Sequence, residues 1–334
     1  MPAIDHLPTG LRRVVARWNA ARELERISNP GGGFERPTVF AVMRNEMLRL
    51  PRFLDHYRHL GVGRFVIVEN NSTDATREFL ASQNDVCLYA TSRHFTGKEA
   101  WLNYLLGKHA AGRWCLVADA DELIEYPSSD RVPLADLCRY LEGVGANALH
   151  AILLDLYPKG PVSETGYVPG ADYFEMPWYF DPLESLAKVP RHFYRGSGLD
   201  FRFEGGVRKR LFGISACCSK FPLFRYDRGM FLTDGQHYLE GGHFAGLRAV
   251  LHHFKFLQDF EPHVREEARR GQHWCGAVEY KAYADRLSQT ECPLGIWNEA
   301  SLLLRGATQL EESGFLVRPG SYEEFLTTVS GEGA

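Results

Sequence analysis

Asp119 and Asp121, separated by Ala120 and followed by Glu122, are the residues of this 334-residue chain whose types and spacing point most directly to chemistry. They stand behind the apolar run Trp114-Cys115-Leu116-Val117-Ala118, which predicts a buried strand. Ligands of open α/β sheets bind beyond the carboxyl ends of such strands. In extended backbone, residues i and i+2 project to the same side, so the two carboxylates can share one cation; on a helix they would diverge by roughly 200°. A hard oxygen site of this kind suits Mg2+ or Mn2+, which keeps positions for water and for the oxygens of a substrate diphosphate. The same four residues also describe a solvated acidic turn, so their meaning depends on the elements that place them.

Those elements alternate. The segment 38–43 is apolar and strand-like, with Arg44-Asn45-Glu46 at its end. Leu50, Phe53, Leu54, Tyr57 and Leu60 then recur at helical spacing, with Pro51 suited to a first turn and Gly61 to the stop. A strand at 64–69, a turn at 70–74, a helix at 75–81, a strand at 86–90, a helix at 98–110 and the strand at 114–118 follow. This order predicts a parallel sheet with helices on both faces. Beyond residue 130 the pattern loosens: a strand at 149–156, long loops over a site at 157–203, and helical sequence again at 254–287. At the N-terminal side, 9–27 reads as an amphipathic helix, with Leu11, Val14, Val15, Trp18 and Leu24 set against Arg12, Arg13, Arg17, Arg22 and Arg26. We expect it to dock on the body of its own protein, the alternative being a basic face resting on anionic lipid. Residues 29–33, Asn-Pro-Gly-Gly-Gly, mark a linker.

Composition sets bounds. With 45% hydrophobic and 13% aromatic residues the chain can bury a sizeable core, and a formal charge of -4 offers no global field for nucleic acid, so no nucleic-acid partner is expected. Seven cysteines, with no C-x-x-C and no zinc-like spacing, predict free thiols in a reducing cytoplasm. A signal peptide's apolar segment is missing and no apolar stretch has bilayer length, which makes a cytoplasmic protein with at most peripheral membrane contact the expectation.

Six segments in order carry a family likeness: RNE (44–46), GVGRFVIVENNSTDAT (61–76), Trp101-x-Asn103, WCLVADADE (114–122), DGQH (234–237) and LHHFKFL (251–257). The first four resemble the nucleotide-binding half of a GT-A glycosyltransferase of the bacterial family 2-like group, and the last two are similar to its acceptor side. The resemblance implies an α/β GT-A fold, Rossmann-like, with a mostly parallel central sheet flanked by helices, an N-terminal helix and a C-terminal helical extension. It divides the chain into 1–35, a catalytic domain at 36–257 with halves meeting at 127/128, and 258–334. It also implies inverting transfer of a sugar from a nucleotide-sugar donor, UDP- or GDP-linked, to a glycan, lipid-linked or small-molecule acceptor, with Mn2+ or Mg2+ as cofactor.

Roles carry over residue by residue. Asp119 and Asp121 match the family's metal and donor motif, with ligation falling mainly to Asp121. Arg44, Glu69 and Asn70 match positions that meet the base and ribose, and Glu46, Asp74 and Lys98 join them as donor-binding candidates. The family's usual Asp-Asp-Gly-Ser turn is here Glu69-Asn70-Asn71-Ser72, which leaves the nucleobase open. His253 matches a histidine that closes the metal shell; the alternative is a half-buried histidine in an aromatic cluster. An inverting enzyme needs a base for the acceptor hydroxyl, which many members of the family carry in a Glu-Asp pair, and this chain has no Glu-Asp dipeptide. Asp234 is the first candidate and Glu204 the second, each also plausible as a turn carboxylate capping backbone. Arg208 and Arg210 could clamp a diphosphate or an anionic acceptor, or be solvated loop charge. Gln272-His273-Trp274 is not the Gln-x-x-Arg-Trp motif of processive synthases. Two other functions compete: a sugar-nucleotide nucleotidyltransferase, which would want a Gly-rich loop where Arg44-Asn45-Glu46-Met47 stands, and a degenerate carbohydrate-binding protein of the same fold.

Overall fold

In chain order the first half forms α1 (Thr9–Glu23), β1 (Glu25–Arg26), β2 (Thr38–Met43), α2 (Leu50–His59), β3 (Arg64–Glu69), α3 (Thr76–Ala81), β4 (Val86–Ala90), α4 (Lys98–His109), β5 (Trp114–Val117) and β6 (Glu122–Glu125). There follow α5 (Leu134–Gly143), β7 (Ala148–Asp155), β8 (Tyr179–Phe180), β9 (Leu186–Pro190), β10 (Phe201–Gly205), α6 (Gly206–Phe212), β11 (Ser219–Lys220), β12 (Leu223–Arg225), β13 (Phe231–Thr233), β14 (Tyr238–Glu240) and β15 (Phe244–His253). The chain continues through α7 (Phe260–Arg270), α8 (Trp274–Ser288), β16 (Leu302–Leu303), α9 (Ala307–Glu312) and α10 (Gly320–Gly331). This computed structural model describes residues 9–32, 35–190, 199–289 and 293–331.

The central sheet runs β1-β4-β3-β2-β5-β12-β7-β15-β6, with β11 added to β7. The β4-β3-β2-β5 block is parallel, as is β7 with β15, and the remaining pairings are antiparallel. The protein is therefore α/β, with a large mixed sheet flanked by helices. Alternation along the strands explains its two cores. Val39, Ala41, Met43, Phe65, Ile67 and Leu88 pack on one face with Phe53 and Tyr57 of α2, whereas Phe40, Val42, Val66, Val68 and Tyr89 pack on the other with Trp101, Leu105 and Leu106 of α4. Because both faces are covered, the strands read as unbroken apolar runs. Trp101 and Asn103 of the W-x-N segment hold this arrangement together. The Trp101 indole donates to Glu23 at 2.9 Å, and Asn103 exchanges two hydrogen bonds with the backbone of Leu232 on β13.

Three features depart from expectation. Helix α1 stops at Glu23 because Glu25 and Arg26 pair antiparallel with Ala90 and Tyr89, covering the sheet edge. It docks through Ala20, Leu24, Arg13 and Arg17, while Leu11, Val14 and Trp18 face outward. The segment 157–203, expected as loops, contains short 3-10 turns, β8 and the strand β9, which pairs with β10 as a hairpin, Pro190 opposite Phe201. Among the described residues the cysteines are free, and no helix is long and apolar enough to cross a membrane.

Candidate functional site

Residues 119–122 form a tight turn, closed by the Glu122 N–H donating to the Asp119 carbonyl at 3.0 Å. It links β5 in the middle of the sheet to β6 at the far edge. An extended segment would have aimed the two aspartates together; the turn sends them apart. Asp119 accepts from Lys98 at 2.5 Å and from Lys220 at 3.3 Å, whereas Asp121 lies 3.0 Å from Nε2 of His253. Both aspartates were expected to share one cation; among the described residues, the group of three whose donor atoms lie within 4.8 Å of one another is Asp121, Glu122 and His253, with Asp119 on the lysine side of the turn.

Sheet register builds that group. His253 on β15 stands opposite Glu122 of β6 on one side and Asp155 of β7 on the other. Paired residues share a face of the sheet, so one rung brings three polar side chains together. His253 Nδ1 meets Asp155 at 2.5 Å, which leaves Nε2 directed at Asp121. A histidine anchored to a carboxylate through one ring nitrogen and presenting the other is the usual support of a metal ligand. The preceding residue, His252, falls on the opposite face and pairs with Glu125 at 2.5 Å, so the two adjacent histidines are told apart by the pleat.

Burial pulls the His253 imidazole down, but Asp121 and Asp155 outweigh it and push its pKa up to about 9. Burial would raise Asp155, yet Arg208 and His253 hold it at about 2. Asp121 is likewise held well below the carboxylate range by His253 against the effect of burial. Glu122 is raised, burial being only partly offset by the adjoining Lys220 ammonium. Burial also lifts Glu46 to about 8, with Arg49 opposing and Asp121 reinforcing.

The cluster lies in the floor of a cavity of about 440 Å³ lined by the strand-end residues Arg44, Glu46, Asp119, Asp121 and His253, by Lys98 from α4, by Glu204, Arg208 and Lys220, and by Lys255, Glu267, His273 and Tyr280 from the α7–α8 side. No protein-family model matches the chain, and no curated protein matches it.

Of the candidates read from sequence, Arg44, Glu46, Lys98, Asp119, Asp121, Glu204, Arg208 and His253 all line this cavity. Four others do not. Glu69 accepts from the backbone of Ser72, Asn70 donates to the carbonyls of Thr91 and Arg93, and Asp74 accepts from the N–H groups of Thr76 and Met47; these three are spent on the strand-end turns. Arg210 is paired with Asp181 at 2.7 Å outside the cavity. Arg208 is a different kind of residue from the solvated or ligand-clamping charge expected. It is 5% exposed and bonded to Asp155 at 2.9 Å, a position reached because Gly205 and Gly206, both at positive φ, let β10 turn directly into α6. A Cβ at Gly205 would lie 2.8 Å from the Ser185 carbonyl. Glu204 accepts from Arg202 and from Ser215. The Asp234 side chain lies outside the described residues, while its neighbour Gly235 lines the cavity.

Sequence reasoning missed Asp155, Lys220 and Lys255, and quoted Glu122 without giving it a role. Asp155 was the most legible of these, since it ends a long apolar strand at the side where ligands bind. Lys220 carries no local signal. Lys255 follows His253 by two residues, and among the described residues no carboxylate pairs with its ammonium, which lies 4.8 Å from the centre of the Tyr280 ring.

The buried histidines make stability pH-dependent. Burial, reinforced by Arg52, Lys220 and Arg49 in turn, lowers His56 and His237 to about 3 and His263 to about 4. Their folded pKa values lie below the unfolded value near 6.5, so the unfolded chain takes up these protons first. Stability is thus complete above about pH 6.5 and falls as pH drops, by at most about 1.4 kcal/mol per pH unit for each histidine. His253 acts in the opposite sense, its contribution being present below about 6.5 and lost as pH rises through about 9. Urea midpoints measured from about pH 9 to about pH 5 are expected to peak near neutrality; a flat profile between about pH 7 and pH 5 would show that these histidines titrate normally.

Proposed function

We propose that this chain is a metal-dependent glycosyltransferase with a GT-A type of site, transferring a sugar with inversion from a UDP- or GDP-linked donor to an acceptor hydroxyl. The observation that carries the proposal is the rung Glu122–His253–Asp155 beside Asp121, opening on a cavity rich in cationic side chains. Asp121, Glu122 and His253 offer two carboxylates and one imidazole, a donor set that suits Mn2+ better than the all-oxygen preference of Mg2+. When bound, such a cation neutralises the charge that develops on a departing diphosphate.

The chain's own residues supply the remaining parts. Asp155 keeps a proton on Nδ1 of His253, so that Nε2 is the nitrogen that would become a ligand once a cation displaces the proton it shares with Asp121. Lys255, Lys98 and Lys220 line the cavity and are the cations we assign to phosphate oxygens, a role Lys255 can take without leaving a carboxylate partner. Arg44 at the end of β2, braced by Glu266 at 2.7 Å, is the donor-side arginine. Glu204 is the base we assign to the acceptor hydroxyl, since it reaches the cavity from the hairpin while Arg202 and Ser215 orient its carboxylate. A cavity of about 440 Å³ is of the size that small ligands and cofactors occupy.

The test is a thermal-shift panel of UDP-, GDP-, CMP- and dTDP-linked sugars with and without Mn2+, followed by assay of the nucleotide released, a diphosphate from a UDP-, GDP- or dTDP-linked donor and CMP from a CMP-linked one. We expect one donor to stabilise the protein only when Mn2+ is present, by RT ln(1 + [L]/Kd). No stabilisation by any donor, or release of pyrophosphate from a nucleoside triphosphate and a sugar phosphate, would replace this assignment with another.

A further inference from the structure

We propose that α1 is an interfacial helix that seats the protein on an anionic lipid bilayer. The helix is mounted with its apolar stripe outward. Leu11, Val14 and Trp18, spaced i, i+3 and i+7 and so aligned on one side, are 48%, 63% and 56% exposed. A helix that merely packed on its own protein would turn these residues inward. Here the inward side is instead held by Ala20 and Leu24 in the core, by Arg17 donating to the Tyr226 hydroxyl at 2.8 Å, and by Arg13 paired with Glu240. Glu23 is engaged by Trp101, which locks the helix's rotation about its axis.

Charge identifies the occupant. From Thr9 to Arg22 the helix carries no acidic residue, and the exposed Arg12 and Arg22 accompany the apolar stripe. The Arg22 guanidinium lies 3.6 Å from the centre of the Trp18 ring, an aromatic–cation pair suited to the depth where headgroups meet acyl chains. The whole chain is formally -4, so this basic face is local: an anionic surface attracts α1 and repels much of the rest, which sets one orientation. A second copy of the chain fits less well. Two such faces brought together would oppose their arginines with no carboxylate on the helix's outward side to meet them.

Sedimentation of the full chain with phosphatidylcholine vesicles, with and without phosphatidylglycerol, tests the proposal independently of any transferase assay. The protein is expected to pellet with the anionic vesicles and to be released by salt. Arg22→Gln should lower its partition coefficient about fivefold, and Val14→Ser combined with Trp18→Ser should abolish pelleting while the melting temperature stays unchanged. Wild-type protein remaining in the supernatant with anionic vesicles would overturn the proposal, as would equal pelleting of the double variant. A concentration-dependent dimer that the double variant loses, without vesicle binding by the wild type, would assign the face to self-association instead.

Discussion

Asp121→Asn is expected to abolish Mn2+ binding and to reduce turnover by a factor on the order of 10³, the scale set by loss of a group that stabilises charge in the transition state. Fold stability should change by no more than about 1 kcal/mol, because Asp121 faces the open cavity rather than the packed core and His253 keeps Asp155 as a partner. The informative comparison is Asp119→Asn. Both oxygens of Asp119 are engaged by lysines, so this variant should retain Mn2+ binding, followed by titration calorimetry, while its activity falls through misplacement of Lys98 and Lys220. If Asp119→Asn loses the metal as completely as Asp121→Asn, the assignment of ligands to Asp121, Glu122 and His253 is wrong.

Arg208→Met should produce the largest loss of stability, about 3–5 kcal/mol by chemical denaturation. Arg208 is the guanidinium partner of Asp155 in a setting where both side chains are almost wholly buried, and it also reaches Glu279 on α8. Removing it leaves a buried carboxylate balanced by the shared His253 proton and the more distant Lys255 ammonium, which raises the Asp155 pKa and weakens the anchor beneath the cluster. The loss is expected without any ligand present, which separates this structural role from phosphate clamping. A destabilisation below about 1 kcal/mol would mean that water or a shifted side chain replaces the guanidinium with ease.

How far the sequence could be read depends on the range of the interaction in question. The strands at 38–43, 64–69 and 86–90 were legible to the residue because each is a local apolar run bounded by turn residues, and α2 because its apolar residues recur at helical spacing. Strand β6 was not legible. Its four residues, Glu-Leu-Ile-Glu, follow an acidic turn, and only pairing with β15, more than a hundred residues later, makes them a strand. The hairpin of β9 and β10 was hidden likewise, since its edge position gives Leu186–Pro190 a largely exposed pattern rather than an alternating one.

The candidate site divides along the same line. The chain's own residues determined the parallel block and the acidic turn behind its last strand, because type and local spacing suffice for each, whereas His253 was singled out only through the family resemblance. Tertiary structure alone decided which carboxylate His253 meets, that Asp119 belongs to two lysines, that Arg208 braces Asp155 from beneath, and that α1 shows its apolar stripe to the outside. Each of these is a matter of register or rotation, where a shift of one residue along a strand, or of a third of a turn about a helix, exchanges every partner while leaving the local pattern untouched.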